Sequence, residues 1–157
     1  MKILVLGLGN EILGDDAAGI LAARALRERV DGAADVEESS LAGLALLDCF
    51  LGYDRALVLD SVRTGRAPAG SIHELGASDL DTVVAPSPHY AGLPEMLALA
   101  ARLDLDFPAE IRILALEVED PYTVGAGLSD PVRRALADLV RRAEQRVNAW
   151  QEEAARA

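Results

Sequence analysis

The sequence predicts an α/β protein in which strands and crossover helices alternate, and three observations carry that reading. Short, nearly continuous apolar runs stand at 2–7, at 55–60 (Arg55-Ala56-Leu57-Val58-Leu59-Asp60) and at 111–118 (Ile111-Arg112-Ile113-Leu114-Ala115-Leu116-Glu117-Val118). Runs of this length suit parallel strands that are covered on both faces. Segments with apolar residues at helical spacing separate them, as crossover connections require. No composition break, linker, repeat or low-complexity block interrupts residues 1–157, so the chain reads as one domain.

The elements follow in order. The first strand, Lys2-Ile3-Leu4-Val5-Leu6, runs into Gly7-Leu8-Gly9-Asn10-Glu11-Ile12-Leu13-Gly14-Asp15-Asp16 and then a helix over 16–30. A weaker strand is expected at 35–39 and a helix at 41–51. After the strand at 55–60 comes a second weaker strand at 70–75, then a helix at 90–103. The strand at 111–118 leads to the last helix, 129–152. Ser129-Asp130-Pro131 marks its start with a capping residue and a first-turn proline. Val132, Leu136, Leu139, Val140, Ala143, Val147 and Trp150 then keep a helical period, which predicts a structural helix covering one sheet face.

Composition narrows the function. The hydrophobic fraction is 51% and aromatics are 4%, so the core is aliphatic. Fifteen basic against twenty-six acidic side chains leave a net charge of −11, which disfavours nucleic acid and anionic membrane as partners. No apolar run approaches the roughly 20 residues of a membrane span, and no secretory pattern opens the chain, so a cytoplasmic protein is expected. Cys49, the single cysteine, cannot form an internal disulfide or by itself a thiolate metal site. It falls on the apolar face of 41–50 and reads as packing.

A glycine-rich turn between strand and helix usually binds phosphate through exposed N–H groups. Here Asp15 stands where a phosphate loop carries lysine, and Asp16 follows it. The glycines at 7, 9 and 14 also miss the dinucleotide spacing, because Ile12 holds the third position. The loop is carboxylate-armed and suits a cation. Of the adjacent aspartates, one is expected to cap or fix the loop and the other to face the cleft.

Sites in open α/β sheets gather where loops converge at the carboxyl ends of strands. Asp60 closes one strand, and Ala85-Pro86-Ser87-Pro88-His89-Tyr90 precedes a helix. Two carboxylates and one imidazole from three such loops make a mixed oxygen and nitrogen ligand set for a divalent first-row metal. His73 reads as an ordinary surface residue, and Glu117, Glu119 and Asp120 as solvated acids. A His-Glu-x-x-His helix, a Gly-x-Ser-x-Gly elbow and a cysteine–histidine pair are absent or unsupported.

Taken together, Gly7-x-Gly9-Asn10, Asp15-Asp16-x-x-Gly19, Asp60 after an apolar strand and Ser87-Pro88-His89-x-x-Gly92-Leu93 resemble the hydrogenase maturation endopeptidase family, in order from residue 1 to about 140. The resemblance implies a single three-layer α/β domain with a twisted, mostly parallel five-stranded sheet between helical layers. It implies an endopeptidase that removes the C-terminal extension of a nickel-iron hydrogenase large-subunit precursor after nickel insertion, the nickel being carried by that precursor. By the same resemblance, Asp16, Asp60 and His89 form the metal-recognition and catalytic site; Asp15 and Asn10 read as residues that fix the loop. A monomer that docks transiently on its precursor is expected. Another metal-dependent hydrolase on the same fold, or a non-catalytic nickel-sensing chaperone, is the alternative use of the same ligands.

Overall fold

Five strands form one sheet in the order β2-β1-β3-β5-β4. They are β1 (Ile3–Leu8), β2 (Asp35–Ser39), β3 (Arg55–Val62), β4 (Ile72–Gly76) and β5 (Glu110–Glu117), and the helices are α1 (Ala18–Leu26), α2 (Leu47–Phe50), α3 (Leu93–Arg102) and α4 (Asp130–Arg156). This computed structural model describes residues 1–76, 79, 89 and 93–156. β2, β1, β3 and β5 are parallel, and only the edge strand β4 runs antiparallel, against β5. The mostly parallel five-stranded sheet with helices on both faces is the expected one, weaker strands included.

The apolar runs are continuous because both faces of each central strand are covered. Val5, Leu57, Leu59, Leu114 and Leu116 pack beneath α1 and α4, against Ala22, Leu26, Leu139, Val147 and Trp150. Leu4, Leu6, Val58 and Ile113 point the other way, toward Leu46, Phe50 and Met96 of the α2 and α3 layer. Six of the seven apolar positions expected on the last helix are buried, and Leu136 is partly buried against the same cluster. Cys49 is partly buried against the second cluster, as packing.

The expected helix at 41–51 is shorter than the pattern suggested. Gly43 has φ +56°, outside the right-handed helical region, so the chain enters a 3-10 turn at Gly43–Leu46 and only Leu47–Phe50 is α-helical. β3 in turn runs two residues beyond 60, because Asp60, Ser61 and Val62 pair with Ala115, Leu116 and Glu117. Residues 90–92, the start expected for the third helix, lie outside the described residues.

β1 leads through α1 to β2 on one side, and β2 leads through α2 to β3 on the other side of β1. The two connections therefore cover opposite faces, as consistently handed crossovers demand. The strand order reverses between β1 and β3, which opens a crevice at their carboxyl ends. α1 presses tightly onto this crevice. A Cβ on Gly19 would stand 2.3 Å from the Leu8 carbonyl oxygen and 2.4 Å from that of Leu59.

Asp15 ties the crevice loops together. Its buried carboxylate accepts the Ser129 N–H at 2.6 Å and the Ser129 hydroxyl at 2.9 Å, and the N–H groups of Asp120 and Glu119 at 3.1 and 3.2 Å. The Asp15 N–H donates to the Asp120 carbonyl at 2.8 Å, and Gly125 N–H donates to the Ile12 carbonyl at 2.8 Å. Asp15 thus does not cap its own helix; it joins the loop after β1 to the loop after β5 and to the start of α4. Ser129 precedes α4 as expected, and its carbonyl accepts the Arg133 N–H at 2.9 Å.

Glu117 corrects the expectation of a solvated acid. It is buried, and its oxygens accept the N–H groups of Thr64 and Gly65 at 2.8 and 2.9 Å and the Thr64 hydroxyl at 2.7 Å. His73 Nε2 lies 2.9 Å away and joins the same cluster, so His73 is a partner to a buried carboxylate and not a bystander. Burial alone pushes the Glu117 carboxyl up, but these donors outweigh it and hold the group below the usual glutamate range. Of the other two acids, Glu119 is exposed and Asp120 half-buried, its carboxylate accepting the Tyr122 and Thr123 N–H groups at 3.0 Å.

Two substitutions test this arrangement. Asp15→Ala leaves buried donors unsatisfied and is expected to lower unfolding free energy by on the order of 3–5 kcal/mol, as for breaking a buried charged interaction. Asp15→Asn should lose less. A denaturation midpoint for Asp15→Ala within about 0.5 kcal/mol of the parent, the range of an ordinary surface change, would show that the clamp carries no weight. Gly19→Ala forces a methyl against two backbone carbonyls and is expected to lose about 3 kcal/mol, the upper part of the overpacking range; an unchanged melt rules out the close approach.

Candidate active site

The crevice between β1 and β3 gathers three of the residues singled out in the sequence. Asp16 comes from the 3-10 turn Gly14–Ala17 that follows β1, and Asp60 from β3 itself. His89 comes from the chain ahead of α3. All three are buried, and one ligand atom from each lies within 4.8 Å of the other two. No side chain caps the turn or α1, so Asp16 is released from capping and faces the cleft. Ser87, Pro88 and Gly92 of the sequence motif lie outside the described residues.

Backbone geometry explains how Asp16 reaches the site. Gly9 has φ +147°, and a Cβ there would stand 2.0 Å from the Asp16 carbonyl oxygen. The loop after β1 folds back so closely that only glycine fits at this crossing. The Asp16 N–H donates to the Leu13 carbonyl at 2.8 Å, closing the turn.

Each of the three side chains is oriented by a neighbour. Ser61 serves both carboxylates: its hydroxyl donates to Asp16 Oδ1 at 3.2 Å, and its N–H donates to Asp60 Oδ1 at 2.7 Å. His89 Nδ1 lies 3.0 Å from the Leu41 carbonyl. A carbonyl only accepts, so Nδ1 carries a proton and Nε2 is the nitrogen turned to the carboxylates, 3.8 Å from Asp16 Oδ2. Ser61 and the Leu41 carbonyl are the parts that the sequence reading missed. The Asp60-Ser61 step hinted at the first, but a backbone carbonyl leaves no mark on a sequence.

The electrostatics favour a cation in the crevice. Burial pulls the His89 imidazolium down, but the Asp16 carboxylate, the Asp60 charge and the Leu41 carbonyl outweigh it and hold the pKa up at about 9. At neutral pH the imidazolium therefore balances one of two buried carboxylates. A divalent ion would take over that role with the same three side chains. The 3.8 Å between His89 Nε2 and Asp16 Oδ2 is shorter than the roughly 4.0–4.4 Å that two bonds of about 2.0–2.2 Å can span, so one ion could reach both. Three protein ligands leave further coordination positions for a second molecule.

Comparison with known proteins points the same way. A family model described as hydrogenase maturation protease matches residues 22–146, a stretch that holds Asp60 and His89. The hydrogenase 2 maturation protease of Escherichia coli (strain K12) is 28% identical over 150 residues, covering 88% of this chain and 91% of that protein. The hydrogenase expression/formation protein HoxM of Azotobacter vinelandii is 29% identical over 146 residues, covering 89% of this chain and 69% of its own length. Among solved structures, the hydrogenase maturating endopeptidase HybD from E. coli shares the fold with a TM-score of 0.75 at 24% identity, covering 98% of this chain and 94% of that one. The maturation protease HybD from Thermococcus kodakarensis gives a TM-score of 0.71 at 25% identity, covering 94% and 99%. With the family model spanning most of its length and the sheet, crevice and clustered acids in place, this chain belongs to the hydrogenase maturation protease family.

Proposed function

We propose that this endopeptidase removes the C-terminal extension of a nickel-iron hydrogenase large-subunit precursor after nickel insertion, and that the precursor's nickel is its recognition element. The observation that carries the reading is the buried Asp16–Asp60–His89 cluster at the strand reversal, with oxygen, oxygen and nitrogen donors within 4.8 Å of one another. Nickel arrives as part of the substrate, held by cysteines of the precursor. Carboxylate and imidazole are harder ligands than thiolate, so the cluster binds free nickel weakly and completes the coordination of nickel the precursor already holds. Precursor without the metal then lacks a contact that loaded precursor has, which makes cleavage conditional on loading.

Hydrolysis adds water to the scissile carbonyl, breaks the carbon–nitrogen bond and leaves a carboxylate and an amine. Substrate-borne nickel beside that carbonyl supplies Lewis acidity to it or to the attacking water. His89 is protonated at neutral pH until metal displaces the proton, so the base that accepts the water's proton is a carboxylate, Asp16 or Asp60. Ser61 keeps both carboxylates aimed at the crevice.

Three outcomes are expected. His89→Ala and Asp16→Ala should each reduce processing of nickel-loaded precursor beyond the ~10–100-fold that loss of a ligand's supporting partner costs, with the fold retained because neither is core packing. Mass spectrometry of the precursor after incubation reads this, and full-length conversion by both variants ends the assignment. Wild type should cleave loaded but not nickel-free precursor. Cleavage of both would point to another metal-dependent hydrolase, and cleavage of neither to a nickel-sensing chaperone. Free nickel must displace the His89 proton, so its affinity should rise with pH by roughly tenfold per unit below about 9 and level off above it. Calorimetric titration between pH 6.5 and 8.5 checks the sign, and a flat affinity excludes His89 as a ligand.

A further inference from the structure

Next to the metal-site candidates is a recess that their chemistry does not use. It holds about 90 Å³ and is walled by Leu13, Val62, Val118, Pro121 and Tyr122, with Asp16 and Ser61 on the side toward the crevice. Asp16 belongs to both: Oδ2 stands 3.8 Å from His89 Nε2, and Oδ1 accepts the Ser61 hydroxyl inside the recess wall. That hydroxyl is already given to Asp16, so it offers little to a polar guest. Arg63 completes the lining, its guanidinium 5.9 Å over the Tyr122 ring.

Three further observations describe what would enter. The volume is well below the roughly 150 Å³ of an apolar cavity that admits benzene, which suits a branched aliphatic group better than a bulkier aromatic side chain. The walls come from three separate strand-end loops at the crevice, so a guest here lies one side chain from the clustered acids. Ile12, Tyr122 and Val124 are 60%, 68% and 70% exposed and continue the apolar surface outward on the loops after β1 and β5. Those loops are pinned to each other by the backbone pairing of Leu13 with Val124 and by the Asp15 clamp, so the recess is preformed.

We propose that this recess is the specificity pocket of the peptidase and takes the aliphatic side chain of a residue flanking the scissile bond. The inference rests on the endopeptidase reading above and adds to it a substrate class: precursors with an aliphatic residue beside the cut. An extended chain places neighbouring Cα atoms about 3.8 Å apart, so a side chain seated against Asp16 brings its adjoining peptide bond to the acids and the nickel. Leu13 sets the depth of the recess, since it is half-buried where Val62 and Val118 belong to the core.

The test uses the full chain and nickel-loaded precursors in which each of the two residues flanking the cut is replaced in turn by Val, Leu, Phe or Asp, with product masses followed over time. At one of the two positions Val or Leu is expected to be cleaved at least ~10-fold faster than Phe or Asp, within the range of apolar-pocket discrimination. Leu13→Ala should narrow or reverse the preference against Phe, and Leu13→Trp should slow the Val and Leu substrates by at least ~10-fold, with thermal melts verifying the fold of both. Cleavage that continues at the same rate for all four residues at both positions, in an order that Leu13→Ala does not change, overturns the pocket and leaves the endopeptidase reading standing. If wild type cleaves no loaded precursor at all, that reading fails and the pocket falls with it.

Discussion

The four hydrogen bonds received by the Asp15 carboxylate are the constraint on which the site depends. A buried charge is tolerated only when its oxygens are satisfied, and the donors come from Glu119, Asp120 and Ser129, more than a hundred residues downstream. The loop after β1 cannot take its shape until the loop after β5 and the start of α4 are in place. In that shape the neighbouring Asp16 faces the crevice, and the close crossing of Gly9 over the Asp16 carbonyl packs the turn against β1. The distal C-terminal helix thereby helps to place a side chain near the N-terminus.

The cluster itself is electrostatically poised. Two buried carboxylates close together repel, and the low dielectric of the crevice magnifies the repulsion. Protonated His89 relieves it, which is why its pKa rises despite burial. In the proposed cycle the proton is a placeholder for a metal brought by the substrate. On that proposal the proton holds the site together without nickel, and a divalent cation would then replace it, because the cation would satisfy both carboxylates where the proton satisfies one charge.

Much of this was legible in the sequence, and the limits have physical causes. β1, β3 and β5 could be read because parallel strands buried on both faces leave uninterrupted apolar runs, the edge strands β2 and β4 only more weakly because they are largely unburied, and α4 because its buried positions keep strict helical spacing. The short α2 was over-read, since an apolar stretch does not reveal that Gly43 will adopt a positive φ. Asp16, Asp60 and His89, singled out from strand-end loops and from the family resemblance, do come together, because those loops converge where the strand order reverses. The sequence reading assigns Asp16 to the site and Asp15 to the loop, but nothing in the sequence shows that Asp15 reaches its partners across the fold at Glu119, Asp120 and Ser129. Glu117 was misread because acidic residues are mostly solvated, and its partners Thr64, Gly65 and His73 reach it only through the fold. The Leu41 carbonyl that orients His89 could not have been read at all.

In the proposed reading, Asp16 is where recognition of metal and recognition of peptide meet. One of its oxygens looks toward His89, and the other is bonded by Ser61 in the wall of the recess. On that reading, a substrate that presents nickel but no fitting side chain occupies only the metal side of Asp16, and a peptide without nickel occupies only the recess on its other side. The proposed checkpoint needs no moving part: a short carboxylate, held rigid from behind by the adjacent Asp15, demands that metal and cleavage segment arrive in one register. Rigidity matters more than affinity here, because weak contacts discriminate between loaded and empty precursor only if neither can be recovered by a shift of the loop that carries them.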